Sequence, residues 1–257
     1  MKKNPFITAL LFIPKTLEFI ILSIFFGVLF IIVQPFVWCF TKGKKNVQKN
    51  DDARVFVANH YEIYGPLVVF LRFPFSIRPW VIDKMCDSKS IEKHMSIGFY
   101  NNYKWIPKWF KFILIKLAKR VILFAIKFAK PIPVSRDNPR SNIKTLQLSV
   151  DVLNKNKNIF IFPERNSVKE GVGEFMSGFE HLGKYYYQKT GKKISFYPVF
   201  ISKKKSAMYI EKPIIYNPDN DPNLEKERIV TCLHDAIENS FLVHEKAQPK
   251  KNKNSNP

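Results

Sequence analysis

The longest apolar stretch lies near the N-terminus: residues 19–40, FIILSIFFGVLFIIVQPFVWCF, carry no charge over 22 positions. About 20 apolar residues suffice to cross a bilayer core, so the run is expected to be a membrane-anchoring helical segment. A buried core helix is the alternative, but such helices rarely stay uncharged for so long. Residues 5–14 are also apolar, and Lys15 and Glu18 interrupt the pattern three positions apart, close enough to pair on one helix face. Pro14 and Pro35 should break or kink the helix. One span and two helices dipping into a single leaflet both remain open. No short apolar core with a small-residue cleavage site marks a signal peptide.

Beyond the anchor the pattern changes period. Short apolar runs at residues 54–58, 77–82, 132–135, 158–162, 194–201 and 207–211 read as strands. Pro79 argues that the second of them is an edge. Residues 141–154 place Ile143, Leu146, Val150 and Leu153 at helical spacing, and 175–189 and 223–243 also read as helices. Strands alternating with helices predict an α/β domain, a mixed central sheet flanked by helices. The expected organisation is an anchor over 1–45, the α/β domain over 46–245 and a disordered basic tail over 246–257.

Charge adds a second membrane signal. Forty-two Lys and Arg against 21 Asp and Glu give a formal net charge of +21. Such a balance suits nucleic acid, anionic lipid or acidic carriers. Lys42, Lys44, Lys45 and Lys49 follow the apolar run, which keeps that flank cytoplasmic by the positive-inside rule and puts the protein on the cytoplasmic side of the cell membrane. Residues 105–130 mix apolar positions with Lys and Arg and contain no acid. That composition suits a helix lying in an anionic membrane interface, or one packed on the domain with a solvated basic face. A nucleic-acid reading rests on charge alone, lacks a recognised motif and fits poorly with an apolar anchor. Cys39, Cys86 and Cys232 form no C-x-x-C pair and read as reduced structural thiols. The remaining histidines, His94, His181, His234 and His244, lack metal-ligand spacing, and Gly171, Gly173 and Gly178 do not form a phosphate loop.

Four segments carry candidate chemistry: Asn59-His60-Tyr61-Glu62-Ile63-Tyr64-Gly65-Pro66, Ile132-Pro133-Val134-Ser135-Arg136, Phe162-Pro163-Glu164-Arg165-Asn166-Ser167 with Phe175-Met176-Ser177-Gly178 downstream, and Tyr197-Pro198-Val199. In order and spacing they resemble the four signature blocks of the 1-acylglycerol-3-phosphate acyltransferase superfamily, over about residues 54–215. The resemblance implies transfer of a fatty acyl group from acyl-CoA or acyl-carrier protein to a lysophospholipid acceptor, with 1-acylglycerol-3-phosphate foremost, in phospholipid biosynthesis. It implies no metal and no tightly held cofactor. A hydroxyl is a poor nucleophile at neutral pH, so a positioned His must take its proton. His60 is the implied base. Arg136, Glu164 and Gly178 are the implied substrate-binding residues, a guanidinium being suited to a phosphate, and Arg165, two positions from the family's Arg, is a further candidate.

The sequence departs from the pattern at a telling place. Five residues after His60, where the family has Asp, stands Gly65. Without a carboxylate to orient the imidazole the dyad is incomplete. Glu62 is the candidate replacement, Asp83 another. A catalytically inactive, lipid-binding relative is the alternative function.

Overall fold

A computed structural model describes residues 24, 28, 39–48, 51–62, 64–86, 107, 123, 128–135, 141–166, 168 and 171–246. The chain divides into two compact units, Met1–Trp38 and Cys39–Pro257. Ile24 and Val28, the described residues of the first, are helical. The rest of residues 1–38, most of 105–130, Arg136 and the tail beyond Lys246 lie outside the described residues. Among the described residues no helix is long and apolar enough to cross a membrane.

Among the described residues the second unit is built on a mixed eight-stranded sheet. Its strands are β1 (Phe40–Lys42), β2 (Ala53–Ala58), β3 (Ile77–Ile82), β4 (Ile132–Val134), β5 (Asn158–Ile161), β6 (Ile194–Ser202), β7 (Ala207–Ile210) and β8 (Ile214–Ile215). Among the described residues the helices are α1 (Tyr64–Arg72), α2 (Ser141–Leu153), α3 (His181–Thr190) and α4 (Pro222–Phe241), the last running into a π-helical turn, Leu242–Lys246. The strand order is β1-β7-β6-β2-β5-β3-β4, with β8 also on β6. Strands β6, β2, β5, β3 and β4 run parallel, whereas β7 is antiparallel to β6, and β1 is parallel to β7. The carboxyl ends of five strands and the starts of β1 and β7 therefore share one end of the sheet.

Period-two alternation sets the two faces of the central strands. Val55 and Val57 pack with Ile159, Ile161, Phe196, Leu153, Leu182, Ile229 and Leu233. Phe56, between them, faces the other way and stacks on Phe160 and Tyr197, with Phe73 and Phe75 around it. All nine residues of β6 are buried, as expected of a strand covered on both faces. Each such large side chain contributes about 1.5–3 kcal/mol on burial. Polar bonds fix the layers: Thr145 Oγ1 donates to the Pro133 carbonyl at 2.7 Å, and Trp80 Nε1 to Ser149 Oγ at 3.1 Å.

Several expectations need correction. Residues 39–45 belong to the second unit, because Phe40–Lys42 pair with β7. Strand β3 is not an edge: residues 77–79 pair with β5 and residues 80–82 with β4. Pro79 sits at the changeover, where one neighbour is enough. Helix α3 starts at His181 rather than at 175, because the backbone of 174–176 pairs instead with 163–165. Helix α1 has no counterpart among the expected elements. Pro66 is the third residue of that helix, where a missing N–H breaks no intrahelical bond. Helix α4 is announced by Asp221-Pro222: the Asp221 carboxylate accepts from the Asn223 and Leu224 N–H groups, and Pro follows at the first helical position.

Candidate active site

The parallel topology collects the motif segments. Asn59 and His60 follow β2, Asp83 follows β3, Ser135 follows β4 with Arg136 next in sequence, and Glu164 follows β5. In open α/β sheets this carboxyl end is where ligands bind.

Asn59 fixes the exit from β2. Its buried side chain bonds both polar groups of Ile201 on β6: Nδ2 donates to the carbonyl at 3.1 Å, and Oδ1 accepts the N–H at 2.7 Å. His60 comes next, half-buried, with its ring edge-on to Phe162 at a centroid distance of 5.1 Å. The chain then turns through two left-handed residues, Tyr61 (φ 45°) and Glu62 (φ 53°). Glu62 is exposed.

Gly65 answers to a steric demand. Its backbone is not left-handed, but a Cβ there would lie 2.0 Å from the His60 carbonyl oxygen and 2.9 Å from its carbon. The turn that carries His60 folds back onto the start of α1 so closely that no side chain fits at 65.

Glu164 is the buried acid of the site, 3% exposed. Its Oε1 accepts the Gly173 N–H at 3.0 Å. Burial raises its pKa above the ordinary value of 4.5; the peptide N–H groups of Gly173, His60 and Val168 and the charge of His234 work against that rise. Oε2 is buried and lacks a hydrogen bond of normal geometry among the described residues. Gly173 is required for this approach: a Cβ there would stand 2.8 Å from the Asn166 carbonyl and 3.3 Å from Glu164 Cδ.

The structure thus brings Glu164 against the His60 peptide. It sends Arg165 outward instead: that side chain is 61% exposed, with Nε 3.7 Å from Glu174. Gly178 takes φ 125°, and its N–H donates to buried Glu180 at 2.6 Å. Beside it Ser177 and Glu180 join Asn223, Lys226, Val230 and Thr231 along an open groove of about 710 Å³. None of His60, Glu164 and Arg165 lines that groove.

Four residues had escaped the sequence reading of roles. Asn59 was legible only as a motif letter. Gly65 read as a lost Asp, and its close approach has no local signal. Gly173 was visible as a glycine nine residues past Glu164. His234 read as an ordinary helix residue, yet it meets Phe175 edge-on at 5.3 Å and acts on Glu164.

No protein-family model and no curated protein matches the chain. Among solved structures it is similar to the 1-acyl-sn-glycerophosphate acyltransferase PlsC from Thermotoga maritima. Identity is 14% over 85% of this chain and 78% of that one, with a TM-score of 0.42. Neither figure is high enough to carry a residue's role from that enzyme to this chain.

Proposed function

We propose that this protein is a membrane-bound acyltransferase of phospholipid biosynthesis. It moves a fatty acyl group from acyl-CoA or acyl-carrier protein to a lysophospholipid, with 1-acylglycerol-3-phosphate the foremost acceptor. The observation that carries the reading is the meeting of the first and third motif segments at the carboxyl end of the sheet, with the buried Glu164 carboxyl set against the His60 peptide.

In this reading His60 takes the proton of the acceptor hydroxyl as its oxygen attacks the thioester carbonyl. The new ester C–O bond forms, the C–S bond breaks, and the thiol leaves with the proton returned from the imidazolium. The buried Glu164 carboxyl, through Oε2, holds a hydroxyl of the glycerol backbone. Arg136, next after Ser135 at the end of β4, takes the phosphate. The acidic carrier, where it is the donor, is drawn by the +21 net charge.

A second reading, lipid binding without turnover, has one observation in its favour: Gly65 leaves no room for the carboxylate that would orient His60. Glu62, in the left-handed turn beside His60, is the proposed substitute. The deciding experiment is an acyl-transfer assay on the full chain with several lysolipids and both donor types. Enzyme predicts turnover that His60→Ala abolishes and Glu62→Gln sharply reduces. No transfer with any pair of substrates leaves lipid binding as the function.

A further inference from the structure

The end of the sheet that holds His60 also carries a basic and apolar surface that the proposed chemistry does not use. The β6–β7 turn is Lys203-Lys204-Lys205-Ser206, and all three lysines are exposed. Phe40, the first residue of β1, is tied to this turn: its N–H donates to the Ser206 carbonyl at 2.8 Å, and it is 54% exposed. The π-helical turn packs on the same corner. Glu245 accepts from Ser202 Oγ, its carbonyl accepts from Lys204 Nζ at 3.5 Å, and His244 stacks on Tyr209 with ring centroids 3.7 Å apart. That packing turns the Glu245 carboxylate onto the protein and leaves Lys246 exposed, with Val243 62% exposed. Lys203 Nζ lies 5.9 Å from the centre of the Tyr64 ring, four residues past His60.

We infer that this corner is a docking surface for an anionic lipid bilayer, and that it sets the mouth of the His60 site at the headgroup level. Clustered lysines alone would suit any polyanion. Large apolar side chains exposed among them suit a headgroup–acyl boundary, where lysine stems and rings bury while ammonium groups meet phosphate. The sequence adds continuity: Phe40 is the last residue of the uncharged run of residues 19–40. The inference rests on the membrane part of the proposed function and is independent of acyl transfer.

The test uses the full chain reconstituted into vesicles of phosphatidylcholine alone, or with an equal share of phosphatidylglycerol. Exposed lysines are acetylated with an activated ester and read by mass spectrometry. Lys192 and Lys193 are the internal reference, since they precede β6 and lie about 27 Å from its far end at the rise of a nine-residue strand. Labelling of Lys203, Lys204, Lys205 and Lys246, relative to Lys193, should fall several-fold in the anionic vesicles and recover in high salt. Each lysine is worth about five-fold in binding to an anionic surface, so replacing 203–205 together with Gln should weaken the anion-dependent share on the order of 100-fold and restore labelling at Lys246. Val243→Asp, at an exposed site, should do the same in part. Equal labelling in both vesicles overturns the inference, as does protection by heparin that exceeds protection by the vesicles. Failure of the chain to float with either vesicle would refute the membrane reading itself.

Discussion

Placing a carboxylate at position 65 should harm this protein. The perturbation is best isolated with Gly65→Ala, which adds only a Cβ. That atom would stand 2.0 Å from the His60 carbonyl oxygen, where non-bonded atoms settle near about 3.5 Å. The obstacle is backbone, so it cannot rotate away; the His60 turn or the first turn of α1 must move. Overpacking of this kind costs about 1–3 kcal/mol. Alanine in place of a helical glycine returns about 0.5–1 kcal/mol. A net loss of about 1–2 kcal/mol lowers Tm by about 3–8 °C for a domain of this size. The displaced carbonyl belongs to His60, the proposed base, and a shift of about 1 Å in such a group can cost on the order of 100-fold in rate. Gly65→Ala and Gly65→Asp should therefore both melt earlier and transfer acyl groups far more slowly, as read by thermal unfolding and single-substrate kinetics. Unchanged Tm and rate in Gly65→Ala, or a faster Gly65→Asp, would show that the close approach does not govern this position.

Other outcomes follow from the same geometry. Asn59→Ala strands both polar groups of Ile201 in the core and should cost about 2–4 kcal/mol by denaturant unfolding; Asn59→Asp keeps the acceptor but sets a buried carboxylate oxygen against the Ile201 carbonyl, and should lose at least as much at neutral pH. Because burial raises the Glu164 pKa, the folded state holds a proton that the unfolded chain has already released. Wild type should lose stability as pH rises from 4.5 through the raised value, and Glu164→Gln should remove that part of the slope, as read from unfolding midpoints across pH. Arg136→Ala should raise the acceptor KM with little change in the donor KM; a change confined to the donor would displace Arg136 from the phosphate.

The local sequence determined the elements whose cause is local. Strand β3 falls on the expected residues 77–82, and α2 follows its apolar spacing to within a residue. The chemistry-bearing segments were also legible, because a histidine after a strand and an acid after Phe-Pro are neighbours in sequence. What only the tertiary structure decided is how these segments meet. Parallel pairing of β2 with β5 and β6 brings residues 59, 164 and 201 to one end of the sheet, although more than 100 positions separate the first from the other two. The reason for Gly65 is a contact with a carbonyl five residues away across a tight turn, invisible to periodicity and propensity. The same holds for 174–176, whose helical pattern yields to backbone bonds with 163–165. Burial, too, is a property of the assembled layers: Glu164 and Arg165 are adjacent in the chain, yet one is 3% exposed with a raised pKa and the other 61% exposed in its side chain. Sequence states which groups are available, and packing alone decides which of them leaves water.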